Sequence, residues 1–129
     1  MDPTRPLVID EAAVEQETWD DPSKGALAFR TLISGGLTST RSLTAGVAHL
    51  DPNGWLALHR HLQTEIYYVV AGGGIVTLEG DEQEVTAGSA VYIPGDAEHG
   101  IRNTGSARLT FFYTFAADSF DDIVYRFST

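Results

Sequence analysis

Turn-forming residues interrupt this chain at short intervals over most of its length, and that punctuation limits the fold more than any other feature. Ser34-Gly35-Gly36, Asp51-Pro52-Asn53-Gly54, Gly72-Gly73-Gly74, Gly80-Asp81, Gly88-Ser89, Pro94-Gly95-Asp96 and Asn103-Thr104-Gly105 leave only brief runs between them. The runs are 27–33, 44–50, 55–61, 65–71, 75–78, 82–86, 90–93, 100–103 and 108–115. They are apolar or alternating and rich in Val, Ile, Tyr, Phe and Thr, side chains that suit a pleated, half-buried surface. Turn signals about 8–12 residues apart mean an all-β sandwich or barrel. Helix is expected only over 10–19, where Val14 and Thr18 are spaced for one face.

At 129 residues the chain is one domain's worth of sequence. A domain of this size buries roughly two thirds of the surface its unfolded chain exposes. The pattern divides it into an acidic N-terminal arm, 1–25, a β core, 26–117, and a C-terminal tail, 118–129, that packs on the core. Cysteine is absent, which excludes disulfides, thiolate metal sites and cysteine nucleophiles. A net charge of −10 repels nucleic acid and anionic membrane, both of which select clustered Lys and Arg. The charge is uneven, with seven acids and only Arg5 before residue 22. No run approaches the roughly 20 apolar residues that span a bilayer, and the N-terminus lacks the basic and apolar regions of a leader. The expected location is the cytoplasm.

Three of the four histidines stand at informative spacings. His59 and His61 are two apart on an expected strand, so their imidazoles share a face. Glu65 follows a three-residue link, and His99 comes just past Pro94-Gly95-Asp96. Neutral imidazoles with one carboxylate suit Fe, Mn, Zn, Ni or Co, whereas Mg or Ca wants more oxygens. Taken alone, His59-Arg60-His61 fits a polar surface strand equally well. The same face rule places Glu65, Tyr67 and Val69 on one side of a strand, and Ile66, Tyr68 and Val70 on the other. By that parity Trp55 and Ala57 join His59, which puts Trp55 at a pocket mouth. Phe111, Tyr113 and Phe115 alternate on another inward face, and His49 reads as structural.

The spacing Gly54-x4-His59-x-His61-x3-Glu65-x6-Gly72, followed by Gly88-x5-Pro94-x-Asp96-x2-His99-x3-Asn103, resembles the two motifs of the cupin family. The gap from Gly54 to His59 is one residue shorter than the family's, and Asp96 stands where a glycine is usual. Neither departure removes a ligand position. The resemblance implies a single-domain antiparallel jelly-roll β-barrel with short terminal arms. It further implies that His59, His61, Glu65 and His99 hold one divalent transition metal ion inside the barrel.

Within that family the length and order of segments are similar to the short cupin lyases that cleave dimethylsulfoniopropionate. The likeness runs from Trp19 through Leu58-His59-Arg60-His61 and Glu65-Ile66-Tyr67 to the ending Asp118-x-Phe120-x5-Arg126. It implies Tyr67 and Tyr125 as active-site tyrosines, with Tyr67 the base. A nearby dication is expected to lower the Tyr67 pKa from about 10. Trp55 and Tyr113 are the expected substrate walls, holding a sulfonium by cation–π attraction. The family also hosts Fe(II) dioxygenases, isomerases or cyclases that move a proton with Tyr67 or Glu98, and non-catalytic small-molecule binders. Oxygen consumption separates the dioxygenase from the lyase. Every reading makes the partner a small molecule, and the apolar outward set Ile66, Tyr68 and Val70 adds a homodimer.

Overall fold

The computed structural model describes residues 2–128, and apart from two 3₁₀ turns its regular structure is β. One sheet runs in the order β1 (Glu17–Thr18), β3 (Ala28–Ile33), β4 (Thr44–Leu50), β11 (Leu109–Phe115), β6 (Glu65–Ala71) and β9 (Ala90–Ile93). The other runs β12 (Arg126–Phe127), β5 (Trp55–Arg60), β10 (His99–Arg102), β7 (Gly73–Leu78) and β8 (Asp81–Thr86). The short β2 (Gly25–Ala26) pairs with β5 beside β12. All strand pairs are antiparallel, and no helix among the described residues is long and apolar enough to cross a membrane.

The sheets face each other because the inward positions are apolar. In β11, Leu109, Phe111, Tyr113 and Phe115 are buried while the residues between them are partly exposed. Val69, Val76, Ile93 and Ile101 meet them from both sheets. The expected barrel is corrected here to a sandwich: the sheets are not closed into one hydrogen-bonded ring. Their outer strands β1, β9, β12 and β8 do not ladder across the gap, so aromatic side chains from the two chain ends fill the open rim instead.

The expected helix over 10–19 is also corrected. Only Glu11–Ala13 turns, as a single 3₁₀ turn, before the chain extends into β1. Tertiary partners compete for the groups a helix would use. Arg30 Nε donates to the Val14 carbonyl at 3.0 Å, and the Glu11 carboxylate meets His49 Nε2 at 2.7 Å. His49 is thus a structural clamp for the arm, its other nitrogen lying 2.9 Å from Thr110 Oγ1.

Two motif positions show why the turns are built as they are. Gly72 has φ +75°, and a Cβ there would run into the backbone of Arg108. Asp96, which stands where a glycine was expected, has φ +67°. Asp is one of the few residues with a side chain that accepts the left-handed region, so the departure keeps the turn. The turn is pinned by the Asp96 N–H donating to the His61 carbonyl at 2.7 Å and by an ion pair to Arg126.

Candidate metal centre

The centre is assembled from three strands and one link. His59 lies on β5, His61 follows it, Glu65 opens β6 and His99 opens β10. His59 and His99 are Cα partners across the β5–β10 ladder. All four side chains are buried, none exposed by more than 3%. The three imidazoles each offer a nitrogen within 4.8 Å of the others. Glu65 Oε1 lies 3.1 Å from His61 Nε2 and 3.2 Å from His99 Nε2.

Each imidazole is aimed by its other nitrogen. His59 Nδ1 meets the Ala57 carbonyl at 2.7 Å, His61 Nδ1 the Gln63 carbonyl at 2.9 Å, and His99 Nδ1 the Ala97 carbonyl at 2.9 Å. A carbonyl only accepts, so Nδ1 must carry the hydrogen. In the neutral ring Nε2 is then a bare lone pair, and all three are turned to one point. The Nε2 atoms of His59 and His99 are buried with no hydrogen-bond partner among the described residues. Burial, with His99 and then His61 nearby, pushes the His59 pKa down to about 3, so its Nε2 stays unprotonated at neutral pH. Converging lone pairs beside a carboxylate, each ring oriented by a carbonyl, are the donor set and support of a divalent transition ion. The residues fit the group.

A narrow cavity of about 30 Å³ opens off this centre, lined by Glu65, Tyr67, Tyr113 and Tyr125 among a wall of aromatic rings. Tyr67 and Tyr113 are Cα partners across β6 and β11. Tyr67 packs 4.4 Å from Phe111 and 6.2 Å from His99 between ring centroids. Burial, then the charge of Glu65, holds the Tyr67 hydroxyl well above its ordinary value. The protein by itself therefore raises this pKa, opposite to the lowering expected from a neighbouring dication. Burial pushes Tyr113 and Tyr125 up as well. Tyr125 stacks on His59 at 4.8 Å with 22° between the planes, so the tail covers the centre.

Trp55 is not brought to this cavity. From His99↔His59 to Ile101↔Leu56 the ladder advances two residues on β10 and three on β5, a bulge that inverts the parity of the strand. Leu56 turns inward in its place, and Trp55, 36% exposed, lines a groove on the outer surface. Glu98 accepts from Ser128 Oγ, faces Arg60 and is not among the cavity residues. Periodicity missed Trp19, Leu27, Phe29 and Phe120, which complete the wall. Trp19 and Phe120 come from connections, where no strand pattern betrays an inward side chain, whereas Leu27 and Phe29 share a face of the expected 27–33 run that nothing tied to the site.

Residues 46–115 match the family model described as the cupin domain. The dimethylsulfoniopropionate lyase DddW of Ruegeria pomeroyi is 43% identical over 126 residues, covering 98% of this chain and 82% of that protein. Among solved structures, the polyketide cyclase RemF of Streptomyces resistomycificus superposes with TM-score 0.80 at 21% identity, over 97% of this chain and 87% of that one. A structure from a study of the dimethylsulfoniopropionate lyases RdDddP and RnDddQII gives TM-score 0.74 at 21% identity, over 90% of this chain and 63% of that one. At such identities the structural likenesses speak to the fold.

Proposed function

The chain belongs to the cupin family, and from that premise we propose that it is a metal-dependent lyase that cleaves dimethylsulfoniopropionate to dimethyl sulfide and acrylate. The observation that carries the reading is the convergence of three carbonyl-oriented imidazoles on Glu65, which itself lines a cavity with the buried Tyr67, Tyr113 and Tyr125. His59, His61, Glu65 and His99 would hold the ion. When bound, the ion supplies positive charge that steadies the substrate carboxylate and acidifies the adjacent C–H.

The rest is the work of side chains. Tyr67 takes the proton from the carbon next to the carboxylate. The C–H electron pair becomes the new C=C bond, the C–S bond breaks, and sulfur leaves with the C–S electron pair as dimethyl sulfide. A positioned base of this kind typically contributes about 10²–10⁴-fold. Burial keeps the Tyr67 hydroxyl protonated, so it serves as a base only with positive charge beside it. Tyr113 and Tyr125 wall the substrate, and the buried rings exclude the water that would screen that charge.

The outer face of β6 and β9 exposes Ile66, Tyr68, Val70 and Tyr92. This apolar patch supports a homodimer, which light scattering at micromolar concentration tests. The reaction is tested by headspace dimethyl sulfide after anaerobic incubation of metal-reconstituted protein with dimethylsulfoniopropionate. Wild type releases sulfide, and His59→Ala and Tyr67→Phe do not. Release that survives Tyr67→Phe discards the base. No release with Fe, Mn, Ni, Co or Zn discards the lyase.

A further inference from the structure

The cavity of about 30 Å³ holds roughly two water molecules, whereas a carboxylic acid carrying a dimethylsulfonium group is several times larger. Some wall must therefore move. Phe29, Ala48, Leu56, Tyr67, Phe111 and Tyr113 stand on strands within hydrogen-bonded sheets, so their backbone is held and only side-chain rotation is open to them. The remaining choices are the tail, with Phe120 and Tyr125, and the arm, with Trp19 and Leu27.

The tail is pinned along its length. Asp118 accepts from the backbone of Gly35 and Ser42, Phe120 N–H donates to Ser34 Oγ at 2.8 Å, and Ser128 N–H donates to the Leu58 carbonyl at 2.9 Å. The arm differs. Residues 20–23 hydrogen-bond only within their own turn among the described residues, and a single backbone bond, from the Ala57 N–H to the Lys24 carbonyl at 2.9 Å, ties the end of the turn to β5. Strands of two residues anchor the turn at each side, β1 at Glu17–Thr18 and β2 at Gly25–Ala26.

Trp19 is also placed as a partition. Trp19 and Leu27 line the inner cavity and, on their other side, a surface groove of about 410 Å³ bordered by Gln16, Thr18, His49 and Arg108. The indole is held by contacts of low directionality: edges to Tyr125 at 5.2 Å and Phe127 at 5.8 Å, and the Lys24 ammonium 5.7 Å above its ring. Its Nε1–H is buried with no acceptor among the described residues, which raises the free energy of the closed position relative to one where water reaches it.

We propose that Trp19 is the door between the surface groove and the cavity, opening when residues 19–23 swing from the sheet about the Lys24 anchor and closing again on Tyr125 and Phe127. The size of the guest rests on the lyase reading; the door itself is read without substrate. The test is solvent exchange of the Trp19 indole Nε1–H by NMR, with the outward Trp55 as the exposed reference. A door gives exchange that is insensitive to low denaturant, because the opening is local. The chain has no cysteine, so Thr18→Cys with Ala28→Cys, Cα partners across β1 and β3, introduces one disulfide. Oxidation should slow indole exchange and sulfide release together, by roughly tenfold or more, and reduction should restore both. Trp19 exchange with the steep denaturant dependence of the sheet amides would overturn the proposal in the unmodified protein. So would an oxidised staple that leaves exchange unchanged. Absent sulfide release from the reduced protein would strike the lyase reading alone.

Discussion

With no ion bound, this protein should be acid-labile well above the usual carboxylate range, and the size of the effect follows from His59. Its imidazole titrates at about 3 in the folded state, against about 6.5 when exposed. The unfolded chain therefore takes up a proton that the folded chain refuses. Stability is full above about pH 6.5 and falls as pH drops toward 3, the sign required when folding lowers a pKa. Between pH 7.5 and pH 5 the two proton-binding curves separate by about 2 kcal/mol from this one group. Urea denaturation of metal-free protein at both pH values reads the loss, and His59→Gln supplies the comparison. The variant should lose less of its stability over the same interval, by about that amount. A zinc salt added at pH 7.5 should raise the wild-type midpoint and leave the variant's almost unmoved. Equal pH dependence in wild type and His59→Gln would refute the argument that a buried, neutral His59 is held at the cost of acid stability.

Three further outcomes are expected. Tyr67→Phe should keep the fold, by circular dichroism, and lower sulfide release by about 10²–10⁴-fold. Gly46→Ala places a methyl against the Tyr113 hydroxyl and the Arg30 carbonyl, so it should cost about 1–3 kcal/mol in denaturant melts and disturb the cavity wall. Asp96→Gly should stay within about 1 kcal/mol of wild type, whereas Asp96→Val, a β-branched side chain at φ +67°, should lose more than that by the same assay.

The parts of this molecule that could be read in advance are those decided locally. Strands at Thr44–Leu50, Glu65–Ala71 and Ala90–Ile93 begin and end where the alternation and turn residues placed them. The clustering of His59, His61, Glu65 and His99 was legible through the resemblance to the cupin motifs, since spacing alone left His59-Arg60-His61 equally at home on a polar surface strand. What escaped was decided at a distance. Glu17–Thr18, Gly25–Ala26 and Arg126–Phe127 become strands by docking on β3 and β5 and are too short to carry a period. Trp55 was misplaced by one extra residue in β5, since a bulge leaves composition untouched and reverses every side chain beyond it. The helix over 10–19 failed because Arg30 and His49, remote in sequence, hold its carbonyl and its carboxylate.

The carbonyls that orient the three imidazoles all lie two residues from the histidine they serve: Ala57 for His59, Gln63 for His61 and Ala97 for His99. Each imidazole thus travels with its own aiming device inside a peptide of three residues. The centre consequently asks little of the surrounding wall beyond room. Trp19, Phe29, Phe111 or Phe120 can be exchanged to reshape the guest without re-aiming a single nitrogen. The aim of the imidazoles and the shape of the aromatic wall are set in separate stretches of chain, and a protein engineer can vary one while leaving the other alone.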